Sequence, residues 1–325
     1  MQQALRLYGQ ALAALLVLAC SDPVVSGDPQ PVDQAAQSAR LLVLNLASAD
    51  AACAAAGGGI CSATAEQAVQ ARVAELEPDV VVFTHVGAAD QSARILPEGY
   101  TVRCGADGVV CVAVRSAAGE IAGCASGLCT DLPMAEAASG CGPSDSVADV
   151  NVVLPTGDGV NLIAVDLPYT DDTSARTCRA GVLQRLFESS TEVVGAASSA
   201  MPVLAAGTFG LDPYAAQDTM ASLPADLFHW ASYVGNATEG TEAKPYVYLS
   251  GIKTGAAVAP PTTTLLPAGQ ARIDHVIGRS VVGGCYLLDG TTPMPLEGVT
   301  NAAVGAGVLS HYGYLCELLR SESEP

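Results

Sequence analysis

The sequence predicts an α/β fold, and three observations carry that reading. From residue 40 onward, short continuous apolar runs alternate with stretches of helical periodicity. The runs end in polar residues, as strands do where α/β proteins assemble their sites. The cysteines beyond Cys20 are even in number, which predicts a disulfide-braced domain.

In chain order, Leu41-Leu-Val-Leu-Asn45 reads as a strand buried on both faces. Thr64-Ala-Glu-Gln67 has the form of a capping box. Val69, Val73 and Leu76 follow at helical spacing, and Pro78 stops the helix. Val80 to Phe83 is the next strand, and Val109 to Val114 another, entered through a Gly-Ala-Asp-Gly turn at 105–108. The stretch 116–148 reads as a long, bridged loop. Asn151 to Leu154 and Val160 to Val165 flank Thr156-Gly-Asp-Gly159, a hairpin signal. Residues 174–189 present Val182, Leu183, Leu186 and Phe187 on one helical face. Val203 to Ala206, Ile273 to Ile277, Val281 to Leu288 and Tyr312 to Leu318 supply further strands.

The chain has 325 residues, is 50% hydrophobic and carries a net charge of −19, and its lysines are Lys244 and Lys253 alone. A surface so acidic repels phosphate backbones and disfavours a nucleic-acid partner. Arg6 and the apolar run Ala11 to Ala19 form a signal peptide (1–19) too short to span a bilayer. Val17-Leu18-Ala19-Cys20 resembles a bacterial lipobox, which predicts a lipid on Cys20 and a place in the cell envelope. A plain secretory signal is the alternative. Residues 20–39, rich in Ser, Asp, Pro and Gln, read as a flexible tether; 40–320 form the domain and 321–325 an acidic tail.

Eleven cysteines minus Cys20 leave ten. The close pairs Cys53 with Cys61, Cys104 with Cys111 and Cys124 with Cys129 suggest local bridges. Cys141, Cys178, Cys285 and Cys316 complete the set with connectivity open. No Cys-x-x-Cys spacing exists and there are four histidines, so a zinc cluster is disfavoured.

Segments in the same order resemble the endonuclease/exonuclease/phosphatase superfamily across roughly residues 40–319. Asn45 ends the first strand where the family carries Asn. Glu75-Leu-Glu-Pro-Asp-Val-Val-Val-Phe-Thr-His-Val86 resembles the run that ends in a metal-ligating Glu, with His85 in its place. Asp166 stands where a His-Leu pair is usual. Gly207-Thr-Phe-Gly210 resembles Gly-Asp-Phe-Asn, with Thr208 and Gly210 substituted. Arg272-Ile-Asp-His-Val-Ile277 retains Asp274, and Leu309-Ser-His-Tyr-Gly313 retains His311 with Ser310 at a former Asp.

The resemblance implies a four-layer sandwich, two packed mixed β-sheets flanked by helices, and metal-assisted phosphoester hydrolysis of the nuclease or sphingomyelinase kind. Asn45, Asp274 and His311 would be its catalytic residues. The substitutions work against that chemistry: magnesium prefers oxygen to the nitrogen of His85, and loss of the Asp beside Ser310 deprives His311 of an orienting carboxylate. This reading makes the chain an inactive binding module for a protein, glycan or lipid, with no cofactor. Two alternatives keep it an enzyme. One is a reworked zinc or manganese centre of His85, Asp166 and His311. The other is an ordinary magnesium phosphodiesterase using Asp171, Asp172 or Asp212. His275 alternates with Asp274 and should face the other way, and His229 beside Trp230 reads as an aromatic corner.

Overall fold

The computed structural model describes most of residues 38–320, apart from internal stretches such as 123–139, 193–201, 214–222, 236–245 and 251–272. The leader, tether residues 20–37, the acidic tail, Cys20, Cys124 and Cys129 lie outside the described residues, while Ser38 and Ala39, expected in the tether, open the first strand.

Two mixed sheets form the centre. The six-stranded sheet runs β12-β13-β1-β2-β4-β3. Its strands are β1 (Ser38–Asn45), β2 (Val80–Thr84), β3 (Tyr100–Cys104), β4 (Cys111–Arg115), β12 (Val281–Leu288) and β13 (Gly313–Arg320). The seven-stranded sheet runs β5-β6-β7-β8-β11-β10-β9. It comprises β5 (Glu120–Ile121), β6 (Ser146–Val153), β7 (Gly159–Asp166), β8 (Val203–Thr208), β9 (Val234–Gly235), β10 (Tyr246–Tyr248) and β11 (Asp274–Arg279). The described helices are α1 (Ala51–Ala55), α2 (Ala63–Leu76), α3 (Gln91–Arg94), α4 (Thr173–Glu192) and α5 (Ala225–Tyr233).

Side chains alternate across a strand, and that alternation builds four layers. Leu41 and Val43 of β1, Val82 of β2, Leu162 and Ala164 of β7, Leu204 and Ala206 of β8 and Val276 of β11 meet between the sheets. Leu42, Leu44, Val81 and Phe83 point the other way, onto Val69, Val73 and Leu76 of α2. Ile163, Val165, Val203, Ala205 and Ile277 cover the opposite outer layer with Val182, Leu183, Leu186 and Phe187 of α4 and Trp230 of α5. The four-layer sandwich expected from the sequence is present.

Details depart from the expectations. The N-cap of α2 is Ser62, whose side chain accepts from the Ala65 amide, not Thr64. The expected Thr64–Gln67 capping box is therefore not formed, and Glu66, in the first turn, pairs with Arg94 at 2.8 Å. The expected loop 116–148 holds β5 and the start of β6, because β6 begins five residues before Asn151 to pair along the whole of β7. The hairpin pairing itself is present, antiparallel, with its turn outside the described residues.

Four bridges are found among the described residues. Cys53–Cys61 and Cys104–Cys111 are the expected local pairs. Cys141–Cys178 ties the approach to β6 onto α4, and Cys285–Cys316 joins β12 to β13. No described helix is long and apolar enough to cross a membrane.

Candidate functional site

The inward parity that fills the inter-sheet core continues to the strand ends, where the residues become polar. Positions 41, 43 and 45 share a face of β1, 80, 82 and 84 a face of β2, and 204, 206 and 208 a face of β8. Asn45, Thr84, Asp166, Thr208 and Asp274 thus enter the same layer as the apolar core, and each is at most 6% exposed. Asn45 lies beside Thr84 in parallel register. Across the sandwich, Thr208 lies between Asp166 on one neighbouring strand and Asp274 on the other. Thr84 escaped the sequence reading, which took His85 as the polar end of β2. The parity of Val80 and Val82 points to Thr84.

The hydrogen bonds of this cluster close on Thr208. Asn45 Nδ2 donates to Thr208 Oγ1 at 2.8 Å, and Thr208 Oγ1 donates to Asp274 Oδ1 at 2.6 Å. A hydroxyl has one proton, so Thr84 Oγ1, 3.1 Å away, is the donor in the third bond. Thr208 thereby accepts twice and donates once, linking the two sheets through a single oxygen. Asn45 Oδ1 is held by the Ala47 amide at 2.9 Å.

His311 completes the group. Its Nδ1 lies 2.6 Å from Asp274 Oδ2, and the ring is 8% exposed. A carboxylate can only accept here, so Nδ1 carries the proton and Nε2 is the nitrogen left for a ligand. This corrects the expectation that His311 lacks an orienting carboxylate: Asp274, at the start of β11 in the other sheet, supplies it. Ser310 instead anchors the backbone, its amide and hydroxyl both donating to Ala47 O at 2.8 and 3.1 Å.

The second pair is more open. His85 has φ +57, a left-handed conformation uncommon for a side-chain-bearing residue. The turn aims its amide at Asp166 Oδ2 (2.7 Å) and leaves its Nδ1 3.3 Å from the same oxygen. The imidazole is 47% exposed. The Asp166 hydrogen bond holds the His85 pKa above its ordinary value, against the opposing effect of burial. Burial likewise raises Asp166, with His85 pulling it back down. Asp274 adds its charge to both shifts, so the two pairs share one neighbourhood.

Gly210 (φ +67) is required by close approach: a Cβ there would lie 2.2 Å from Pro168 O. An Asn at this position has no room.

The magnesium implied by the resemblance needs several converging oxygen ligands. Thr208 has no lone pair to spare, and His85 offers nitrogen in place of a carboxylate oxygen. Among the described residues, no group of three or more His, Cys, Asp or Glu side chains is arranged to hold a metal. The residues present do not fit the ion. Asp171 and Asp172 do not rescue it: Asp172 caps α4 through the Ala175 amide (3.0 Å), and Asp171 lies 3.5 Å from both Arg176 and Arg179. Asp212 is half-buried just beyond Leu211. His275 faces the outer layer as expected, between Tyr248 (2.8 Å) and Leu211 O (2.9 Å). His229 is half-buried with its ring 6.0 Å from Phe228.

No family model and no curated protein sequence matches this chain. Solved structures do. TDP2 from D. rerio in complex with a single-strand DNA product aligns with 15% identity, a TM-score of 0.52 and coverage of 86% of this chain and 98% of that one. The human nocturnin catalytic domain with bound sulfate aligns with 8% identity, a TM-score of 0.53 and coverage of 88% and 94%. An endonuclease/exonuclease/phosphatase family protein from Bacteroides thetaiotaomicron aligns with 14% identity, a TM-score of 0.52 and coverage of 88% and 96%. Over nearly the whole length of its described domain, the chain has the endonuclease/exonuclease/phosphatase fold.

Proposed function

We propose that this chain is a non-catalytic binding module built on a phosphoesterase fold, exported and held at the cell envelope by a lipid on Cys20. The observation that carries the reading is the closure of the strand-end cluster on Thr208. Metal-assisted phosphoester hydrolysis needs a cation to polarise the phosphate and offset charge in the transition state. Here the groups that would hold it satisfy one another. Removing one positioned electrostatic group costs about 3–4 kcal/mol of barrier, and several are replaced at once.

The ligand is a protein, a glycan or a lipid headgroup, met at the cleft between His85 and His311. The charge of −19 argues against nucleic acid. The four bridges support an oxidising compartment. The domain boundaries at 40 and 320 belong to the same proposal.

One observation favours a second reading. The His311–Asp274 pair keeps the geometry of an oriented general base, which suits an active phosphodiesterase with a reworked zinc or manganese centre. A single assay separates the two readings. Release of nitrophenol from bis-p-nitrophenyl phosphate is followed with the oxidised protein in magnesium, manganese or zinc. The non-catalytic reading expects the wild type to match its His311→Ala variant and the protein-free blank. Turnover that the variant loses would establish an enzyme.

A further inference from the structure

Two of the four bridges share an unusual position. Among the described strands, β12 and β3 are the outer ones of the six-stranded sheet, and each is tied covalently to the strand beside it. Cys285 lies directly opposite Cys316, and Cys104 directly opposite Cys111, each pair 3.9 Å apart at Cα. Both edges of this sheet are therefore latched across the ladder, while Cys53–Cys61 and Cys141–Cys178 join loops and helices.

One latch closes the segment that carries His311, and the other closes a turn hydrogen-bonded to the residue after His85. The Cys285–Cys316 bridge spans 31 residues and encloses the connection from Leu288 to Gly313, which carries His311. Among its described residues, that connection meets the rest of the fold through Arg72 to Thr300 O at 2.5 Å, Ala49 N to Val308 O at 2.7 Å and the buried Leu296, Val304 and Leu309. Beside the histidine it does so through Ser310 N to Ala47 O at 2.8 Å and the His311–Asp274 bond. The Cys104–Cys111 bridge closes the turn at 105–110. Val109 O of this turn accepts from Val86 N at 2.9 Å, and Val86 follows His85. Asp107 in the same turn accepts from Ser146 Oγ at 2.7 Å, tying it to the other sheet. His85 holds a left-handed backbone, a conformation that persists only where the surroundings enforce it.

We infer that the two edge disulfides are redox latches of the cleft, Cys285–Cys316 setting His311 and Cys104–Cys111 setting His85, so that the cleft is assembled only in the oxidised chain. Opening a latch with a phosphine is balanced chemistry. Phosphorus attacks one sulfur, the other leaves as thiolate and takes a proton, and water hydrolyses the phosphonium to give the second thiol and phosphine oxide. Half-buried Cys104, on an edge strand, gives the reagent its entry.

The test is site-resolved modification of histidines by diethylpyrocarbonate, read by mass spectrometry on the whole oxidised protein. His275, fully buried in the outer layer, reports global unfolding. The Cys285→Ser/Cys316→Ser variant is expected to raise His311 modification several-fold and leave His85 and His275 unchanged. Cys104→Ser/Cys111→Ser is expected to do the same for His85 alone, and Cys141→Ser/Cys178→Ser to do neither. Treating the wild type with the phosphine should reproduce both effects without a variant. Unchanged His85 and His311, or a rise in all three histidines together, would overturn the inference.

Discussion

Two polar patches lie one strand apart at the same end of the sandwich, and they behave differently because of what their partners can accept. Around Thr208, every donor meets an acceptor inside the protein and the residues are at most 8% exposed. At Asp166, the partner is a half-exposed imidazole that can gain or lose a proton. The first patch joins two sheets and the second is open to solvent through the His85 ring. A buried polar network is strong when fully satisfied and costly when one member is lost, whereas an open ion pair contributes little either way.

The comparison is broken most directly at Thr208. Replacing it with Val keeps the shape and removes the oxygen, leaving Asn45 Nδ2, the Thr84 hydroxyl and one Asp274 oxygen without their bonds. With about 1–3 kcal/mol for each buried group so exposed, the expected loss is about 3 kcal/mol or more by denaturant unfolding. A loss within experimental error would mean the network does not hold the sheets together.

Gly210 sharpens the comparison, because it backs onto Leu167 and Pro168, the residues that follow Asp166. Gly210→Asn restores the residue type the resemblance would place there. It should cost about 1–3 kcal/mol through the contact with Pro168 O and yield no phosphodiesterase activity. A neutral variant would show that the loop moves aside freely.

The smallest effect belongs to His85 and Asp166. Both folded pKa values are raised, so both groups favour the folded state when protonated. Their contribution is fully present below the ordinary aspartate value of 3.8 and is lost as pH rises through the raised Asp166 and His85 values, the latter above 6.5. Thermal unfolding across that range should show stability declining as pH rises, with the decline flattened above pH 6.5 in His85→Gln. A profile rising with pH would reverse the assignment.

Much of this architecture was legible in the sequence, because strands buried on both faces read as continuous apolar runs. Leu41 to Leu44, Val80 to Phe83 and Val203 to Ala206 all proved to be strands. The elements missed were short or half-exposed: Tyr100–Cys104, Tyr246–Tyr248 and the helix Ala225–Tyr233 lack a long apolar run or a strong cap. At the site, the resemblance led to Asn45, Thr208, Asp274 and His311, which the fold brings together. What the sequence hid was the pairing. Asp274 and His311 are 37 residues apart, and only the fold brings that carboxylate to that imidazole in place of the one missing beside Ser310.

The central claim, that the cluster closes on Thr208 and leaves no place for a cation, is tested by titrating the oxidised protein with magnesium, manganese and zinc while following thermal unfolding. An ion that binds only the native state adds about 2.7 kcal/mol at a hundredfold excess over its Kd. The account predicts that the wild type and a His85→Ala/His311→Ala variant respond alike to every ion. A stabilisation by any of the three that the variant loses would contradict it.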